Sequence, residues 1–286
     1  MSLHQAGALP DLAAIDAATA RATATGALHA IRIEQTFVED RGIRFLVRWA
    51  SSLVAKDAAR KPDSGSAPAN PFLPPEPSLT LGQVGTGHLL VLNKFPVIAR
   101  HLLIVTREFE EQTAPLSRTD FDALAQVMTA LGGLGFYNGG TEAGASQRHK
   151  HLQWIPESPQ SDCLRSMTAA LPQDVAPLTL LCHPLLAWRH AFVRLGRDVD
   201  GAALHEAFSR AATHCGLLTV DGRMPPYNFL ANDEWMLMVP RSRERCEGMS
   251  VNALGFAGSM FVRNREGIDE VRRIGPLNML AAVAVA

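Results

Sequence analysis

Residues 137–156 read YNGGTEAGASQRHKHLQWIP, and the rest of the chain is best read outward from this stretch. Asn138 to Gln147 is built from Gly, Ala, Ser, Thr, Asn and Gln, with Glu142 as its charge. Small residues let backbone N–H groups approach an anion, and hydroxyls and amides add donors. The loop fits neither the Walker pattern nor a GxGxxG fingerprint, and a plain turn-forming loop fits it too. His149-Lys150-His151-Leu152-Gln153-Trp154 follows at once and alternates. As a strand it places His149, His151 and Gln153 on one face and Lys150, Leu152 and Trp154 on the other. Three readings compete. The histidines are packed or surface residues of a strand. Or they ligate a metal, since HxH presents two imidazoles together, although no third ligand stands at an obvious spacing. Or one of them is a nucleophile, because neutral imidazole attacks phosphorus and titrates near neutral pH.

The flanking chain supplies a frame for this row. His88–Asn93 (HLLVLN) and His101–Thr106 (HLLIVT) read as an antiparallel hairpin of a central sheet. Thr119 to Leu131 carries Phe121, Leu124, Val127, Met128 and Leu131 on one helical stripe, with Ser117 or Thr119 at its start and Gly132-Gly133 at its end. Asp11 to Leu28 reads as an N-terminal helix capped by Asp11. Ile31–Trp49 reads as two strands around Glu39–Gly42; Lys61–Pro77 holds six prolines and forms no regular element, with Pro62–Ala69 a solvated connector and Asn70-Pro71-Phe72 more ordered. Farther on come a helix near 162–170, a strand over Ala187–Val193 and a helix over Ala202–Cys215. A second hairpin, Tyr227–Ala231 with Trp235–Pro240, and an apolar segment Asn252–Arg263 follow. Leu277–Ala286 reads as a terminal helix or strand on the core. Hairpins and helices without a repeated βαβ order predict an α+β fold.

Composition narrows the function classes. The chain has 286 residues, 47% hydrophobic and 19% charged, with a formal net charge of -1. That describes a globular protein with no basic excess to advertise nucleic acid or an anionic membrane. The four cysteines form no CxxC pair, so reduced thiols in a cytoplasmic protein are expected. No basic stretch leads an apolar run at the N-terminus, so a secretory signal is not expected.

HKHLQ after NGGTEAGASQ resembles the histidine-triad superfamily, in the branch whose motif ends in Gln. The chain is similar in particular to the diadenosine tetraphosphate phosphorylases, also called ATP adenylyltransferases. Further landmarks of that resemblance occur in order: Asn70-Pro71-Phe72, Leu92–Pro96 (LNKFP), Gly144–Gln147, Tyr227–Leu230, Trp235–Arg241 (WMLMVPR) and Asn252–Gly258 (NALGFAG). The long linker around Pro62–Ala69 and Arg148 before the first histidine depart from it.

The resemblance implies a histidine-triad-like antiparallel sheet flanked by helices. Residues 1–160 would carry the catalytic motif, and residues 161–286 would complete the core as one globular unit. It implies phosphorolysis of diadenosine tetraphosphate to ATP and ADP, reversibly, with His151 as the nucleophile that becomes adenylylated. His149 and Gln153 would clamp the same phosphate. Gly144, Ala145, Ser146 and Gln147 would cradle it, and Lys56 and Lys94 would lie near the polyphosphate. Asn93 and Asn138 would bond nucleotide or phosphate. Asn252, Ala253, Leu254, Ser259 and Arg263 would belong to a C-terminal nucleotide site. Arg241, Arg243 and Arg245 read either as a phosphate-attracting patch or as a solvated loop, and Phe72 either as a neighbour of the base or as core. A divalent cation, Mg²⁺, would arrive with the polyphosphate, with no metal cage of the protein's own. The partners implied are dinucleoside polyphosphate, phosphate, ATP and ADP, and a monomer is expected. Adenylyl sulfate phosphorolysis, dinucleotide hydrolysis and a non-catalytic dinucleotide sensor are the alternatives.

Overall fold

The strand that carries His151 lies in the middle of a nine-stranded sheet, and the rest of the fold is arranged on its two faces. The computed structural model describes residues 9–50, 70–157, 163–197 and 199–286. In chain order the strands are β1 (Ile33–Asp40), β2 (Ile43–Ala50), β3 (Thr80–Val84), β4 (His88–Leu92), β5 (Leu102–Thr106), β6 (Leu134–Gly139) and β7 (His151–Ile155), followed by β8 (Leu180–Leu181), β9 (Ala191–Arg194), β10 (Tyr227–Ala231), β11 (Trp235–Pro240), β12 (Arg245–Cys246), β13 (Met249–Ser250) and β14 (Ser259–Val262). The helices are α1 (Leu12–Ala24), α2 (Arg118–Leu131), α3 (Cys163–Thr168), α4 (Gly201–His214), α5 (Ala253–Phe256), α6 (Gly267–Ile274) and α7 (Pro276–Val283).

The large sheet runs β3-β4-β5-β7-β6-β10-β11-β9-β8, and its neighbours pair antiparallel. Both hairpins read from the sequence are present, β4–β5 and β10–β11. β6 joins them by pairing with β7 on one side and β10 on the other. β3, just after the proline-rich stretch, was not read from the sequence. The fold is α+β.

Alternation divides the core in two. Leu152 and Trp154 of β7 pack into a cluster with α1, α2 and α4, while Ile155 and Phe136 pack into a second cluster with β2, α5, α6 and α7. α2 shows why its sequence folds as read. Ser117 and Asp120 form a reciprocal capping box, worth about 1 kcal/mol. Phe121, Leu124 and Val127 are fully buried on its apolar stripe, each contributing about 1.5–3 kcal/mol. α1 is capped by Asp11, whose Oδ1 accepts from the Ala14 N–H at 2.8 Å.

The two strands read over Ile31–Trp49 pair as β1–β2, and β14, which was not foreseen as their partner, makes this a smaller sheet, β1-β2-β14. β14 lies parallel to β2, with Ser259 opposite Leu46. Residues 1–160 and 161–286 therefore share the large sheet, through β6–β10, and the smaller one, through β2–β14. Asn252–Arg263 is accordingly both helix and strand, α5 then β14, and the terminal apolar stretch is helix α7.

Candidate active site

The row of three polar side chains starts just before β7. His149 makes an isolated bridge with Glu111, and the strand proper begins at His151. All three are buried, His149 at 1%, His151 at 4% and Gln153 at 8% exposure. Lys150 points the other way and is also fully buried. Its Nζ donates to Asp120 at 3.0 Å, to Glu110 at 2.7 Å and to the Pro115 carbonyl at 3.0 Å. Asp120 is also bonded to His88 Nε2 at 2.8 Å. Although burial raises it, the His88 hydrogen bond and the Lys150 charge hold its carboxyl at about 2. A paired ionic cluster thus anchors the back of the chain entering β7.

His151 has the geometry of a nucleophile. Its Nδ1–H donates to the His149 carbonyl at 2.8 Å, and Nε2 has no partner among the described residues. Burial pushes its pKa down to about 4, so the ring is neutral at physiological pH. A neutral ring with its lone pair on Nε2 is the form that attacks phosphorus, and the positive charge that develops is held by the carbonyl on Nδ1.

His149 is fixed from both sides. Asn70 Nδ2 donates to its Nδ1 at 3.0 Å, and its Nε2–H donates to the Thr106 carbonyl at 2.8 Å. The same ring nitrogen lies 3.0 Å from Thr106 Oγ1. Phe72 closes over the row, its ring centroid 5.6 Å from that of His149 and 5.5 Å from that of His151. Phe72 is buried against the histidines. Phe109, which is exposed, meets His149 edge-on at 5.5 Å.

Gln112, which the sequence did not single out, ties the row to the sheet. Its Oε1 accepts the His151 backbone N–H at 2.9 Å, and its Nε2 donates to the Asn138 carbonyl at 2.9 Å and to the His151 carbonyl at 3.3 Å. No motif marks it, because a lone Gln in a loop has no periodicity to betray burial.

The small-residue loop is drawn tight against the C-terminal part. Gly144 has φ +93°, and a Cβ there would meet the Asn252 Cβ at 2.8 Å. The Ala143 carbonyl accepts from Asn228 Nδ2 at 2.9 Å and from Arg241 Nη1 at 3.3 Å. The Ala145 N–H turns back to the Gly140 carbonyl at 3.1 Å, Ser146 is exposed and Gln147 half-buried. Arg241 is no part of an outward phosphate patch. It is 3% exposed, and it donates to the Val283 and Val251 carbonyls at 3.1 and 2.8 Å. Burial lowers its pKa to about 10, still far above neutrality.

A cavity of about 660 Å³ opens on the Gln153 end of the row. The sheet contributes Phe136 and Gln153, His101 lines it from the position just before β5, and the C-terminal part contributes Asn252, Leu254, Ser259 and Arg263 among others. Residues expected at a C-terminal nucleotide site thus face Gln153 across one space. Ala253 is set back, its N–H donating to Asn138 Oδ1 at 2.9 Å. Ser259 is hydrogen-bonded to the buried Arg48.

Three residues expected to contact ligand have partners within the protein. Asn93 has both ends of its amide engaged by protein, Nδ2 donating to His101 Nδ1 at 3.0 Å and Oδ1 accepting the Phe95 N–H at 3.1 Å. Asn138 Oδ1 accepts from Asn228 Nδ2 and the Ala253 N–H, both at 2.9 Å. These amides brace the site. Lys94 is half-exposed and paired with Glu76 at 2.9 Å. Lys56 lies outside the described residues, as does the Pro62–Ala69 connector. Among the described residues no group of three or more His, Cys, Asp or Glu side chains stands together as a metal cage.

Known proteins share both the sequence and the fold. The family profile of the Ap4A phosphorylase N-terminal domain matches residues 3–172, and that of the ATP adenylyltransferase C-terminal domain matches residues 184–286. Diadenosine 5',5'''-P1,P4-tetraphosphate phosphorylase 2 of Saccharomyces cerevisiae is 30% identical over 257 residues, covering 80% of this chain and 79% of that protein. Protein APA1 of the same organism is 28% identical over 276 residues, covering 86% and 84%. The crystal structure of yeast Ap4A phosphorylase Apa2 superposes with a TM-score of 0.78 at 23% identity, over 94% of this chain and 92% of that one. The same enzyme in complex with Ap4A gives 0.77 at 24% identity, over 94% and 95%. With both profiles matched in order and a relative of this identity aligned over most of its length, the chain belongs to the Ap4A phosphorylase family.

Proposed function

We propose that this protein cleaves diadenosine 5',5'''-P1,P4-tetraphosphate with inorganic phosphate, giving ATP and ADP, and that it runs in both directions. The observation that carries this reading is His151, neutral, with Nδ1–H bonded to a carbonyl and Nε2 without a partner among the described residues. In the first half-reaction Nε2 attacks the α-phosphorus. The N–P bond forms, the P–O bond to the departing polyphosphate breaks, and ATP leaves. In the second, a phosphate oxygen attacks the same phosphorus, the N–P bond breaks, and ADP leaves with His151 restored. The ring keeps its Nδ1 proton throughout, so the His149 carbonyl stabilises the cationic adenylyl-imidazole.

Gln153 explains the choice of acceptor. A side-chain amide does not titrate, so it offers no proton relay to activate water. An acceptor that arrives ionised, such as phosphate, needs none. The amide instead donates to non-bridging oxygens where negative charge gathers. A divalent cation such as Mg²⁺ enters as part of the polyphosphate substrate and neutralises its charge. The protein works as a monomer in the cytoplasm: β10, β11, β9 and β8 continue the sheet beyond β6, where a second copy would otherwise pair. Cys182, Cys215 and Cys246 are unpaired.

Product analysis with and without phosphate tests the reaction. ATP and ADP are expected only when phosphate is supplied. Equal turnover without phosphate would make the protein a hydrolase. Turnover of adenylyl sulfate alone would reassign the substrate, and no turnover of either would leave a dinucleotide sensor.

A further inference from the structure

Two Asn-x-Phe segments flank the catalytic row, and they make the same turn. In Asn70-Pro71-Phe72 the Phe72 N–H donates to Asn70 Oδ1 at 3.0 Å, and in Asn93-Lys94-Phe95 the Phe95 N–H donates to Asn93 Oδ1 at 3.1 Å. A backbone N–H can only donate, so each contact fixes which end of the amide is oxygen. The other end is then a donor, and in both cases it is aimed at a histidine Nδ1. Asn70 Nδ2 lies 3.0 Å from His149 Nδ1, and Asn93 Nδ2 lies 3.0 Å from His101 Nδ1. Each neutral ring must therefore carry its proton on Nε2. For His101 that proton points at Gln153 Oε1, 2.9 Å away.

We propose that Asn93 and His101 are positioning residues that lock the amide of Gln153 with its N–H₂ donors toward the cavity. This rests on reading residues 149–153 as the adenylyl-transfer row. The relay runs one way: Phe95 N–H to Asn93, Asn93 to His101, His101 to Gln153. With Oε1 taken by His101, the amide nitrogen of Gln153 has no partner among the described residues, and the side chain lines the cavity. A flipped amide would set N–H₂ against the His101 N–H and turn its oxygen toward phosphate, placing a lone pair where negative charge develops. Burial keeps His101 neutral, at about 4, so the ring remains a one-donor, one-acceptor link over the working range.

Two measurements test the lock. In ¹⁵N-labelled protein, long-range ¹H–¹⁵N correlation reports the His101 tautomer directly. The Nε2–H form is expected in the free enzyme, and an Nδ1–H form would overturn the proposal whatever the enzyme's activity. The second is a double-mutant cycle on single-turnover adenylylation. Losing one preorganised donor costs about 10²–10³ in rate. His101→Phe keeps the ring volume but frees the amide, so the rate is expected to fall about 10–100-fold with little change in KM. His101→Gln, which can donate at the Nε2 position, is expected to recover part of that loss. In a Gln153→Met background, His101→Phe is expected to change the rate by less than about threefold. Additive losses would show that His101 acts otherwise than through Gln153. Wild-type enzyme that fails to form an adduct would overturn the proposed reaction, while the tautomer measurement still decides the lock.

Discussion

Lowering the pH separates the proposed nucleophile from an ordinary histidine. Burial takes the His151 pKa from 6.5 to about 4. At pH 5 an ordinary imidazole is only about 3% neutral, whereas a ring with a pKa of about 4 is about 90% neutral, a roughly thirtyfold difference in available nucleophile. The assay mixes enzyme with dinucleotide in the absence of phosphate, quenches in alkali and counts AMP bound to protein. The second-order rate constant reports the free enzyme, and the internal phosphodiesters of the dinucleotide stay ionised across the range. The expected profile is level from about pH 7.5 down to about 5 and falls tenfold per pH unit only below about 4. A tenfold-per-unit fall that begins at pH 6.5 would refute the argument, because it would mean a solvated ring or a different nucleophile. Stability changes in the same window and must be controlled. The folded pKa values of His101 and His151 lie below the unfolded 6.5. The unfolded chain therefore binds more protons between about 6.5 and 4, and stability is lost as pH falls through that window. At pH 5 each ring costs about 2 kcal/mol, so circular dichroism at each pH must show folded protein before its rate is counted.

Two further outcomes follow from the packing around the row. Asp120→Asn removes the carboxylate shared by Lys150 and His88 at 3.0 and 2.8 Å, and urea unfolding should show a loss of about 3–5 kcal/mol. Adding Lys150→Met should restore much of it, and a loss below about 1 kcal/mol would mean that Glu110 suffices for the buried ammonium. Gly144→Ala places a methyl 2.8 Å from the Asn252 Cβ at a φ of +93°. It should cost about 1–3 kcal/mol in thermal unfolding and weaken nucleotide binding measured by calorimetry; unchanged affinity would remove the loop from the phosphate cradle.

The sequence by itself determined the parts whose signal is local. Alternation placed β7, because a strand with one polar side chain in two announces its faces, and short apolar, β-rich runs bounded by turn residues placed β4, β5, β10 and β11. The stripe from Phe121 to Leu131, with Ser117 before it and Gly132 after it, placed α2. The order of landmarks along the chain named the family before any contact was known. Asn70-Pro71-Phe72 and Asn93-Lys94-Phe95 were legible only as landmarks, since nothing in three residues tells which histidine an asparagine will hold. His101 read as the first residue of an apolar strand, and Gln112 did not stand out at all. Their partners, Gln153 and His151, lie 52 and 39 residues away in sequence. Tertiary structure decided these roles, because hydrogen-bond direction and desolvation belong to the assembled site. The parallel pairing of β14 with β2 was likewise decided by packing, since a short apolar run carries no record of the partner that will cover it. The same assembly gave the Asn93 amide and the Asn138 oxygen protein partners and buried Arg241 among backbone carbonyls, contacts that no short stretch of sequence records.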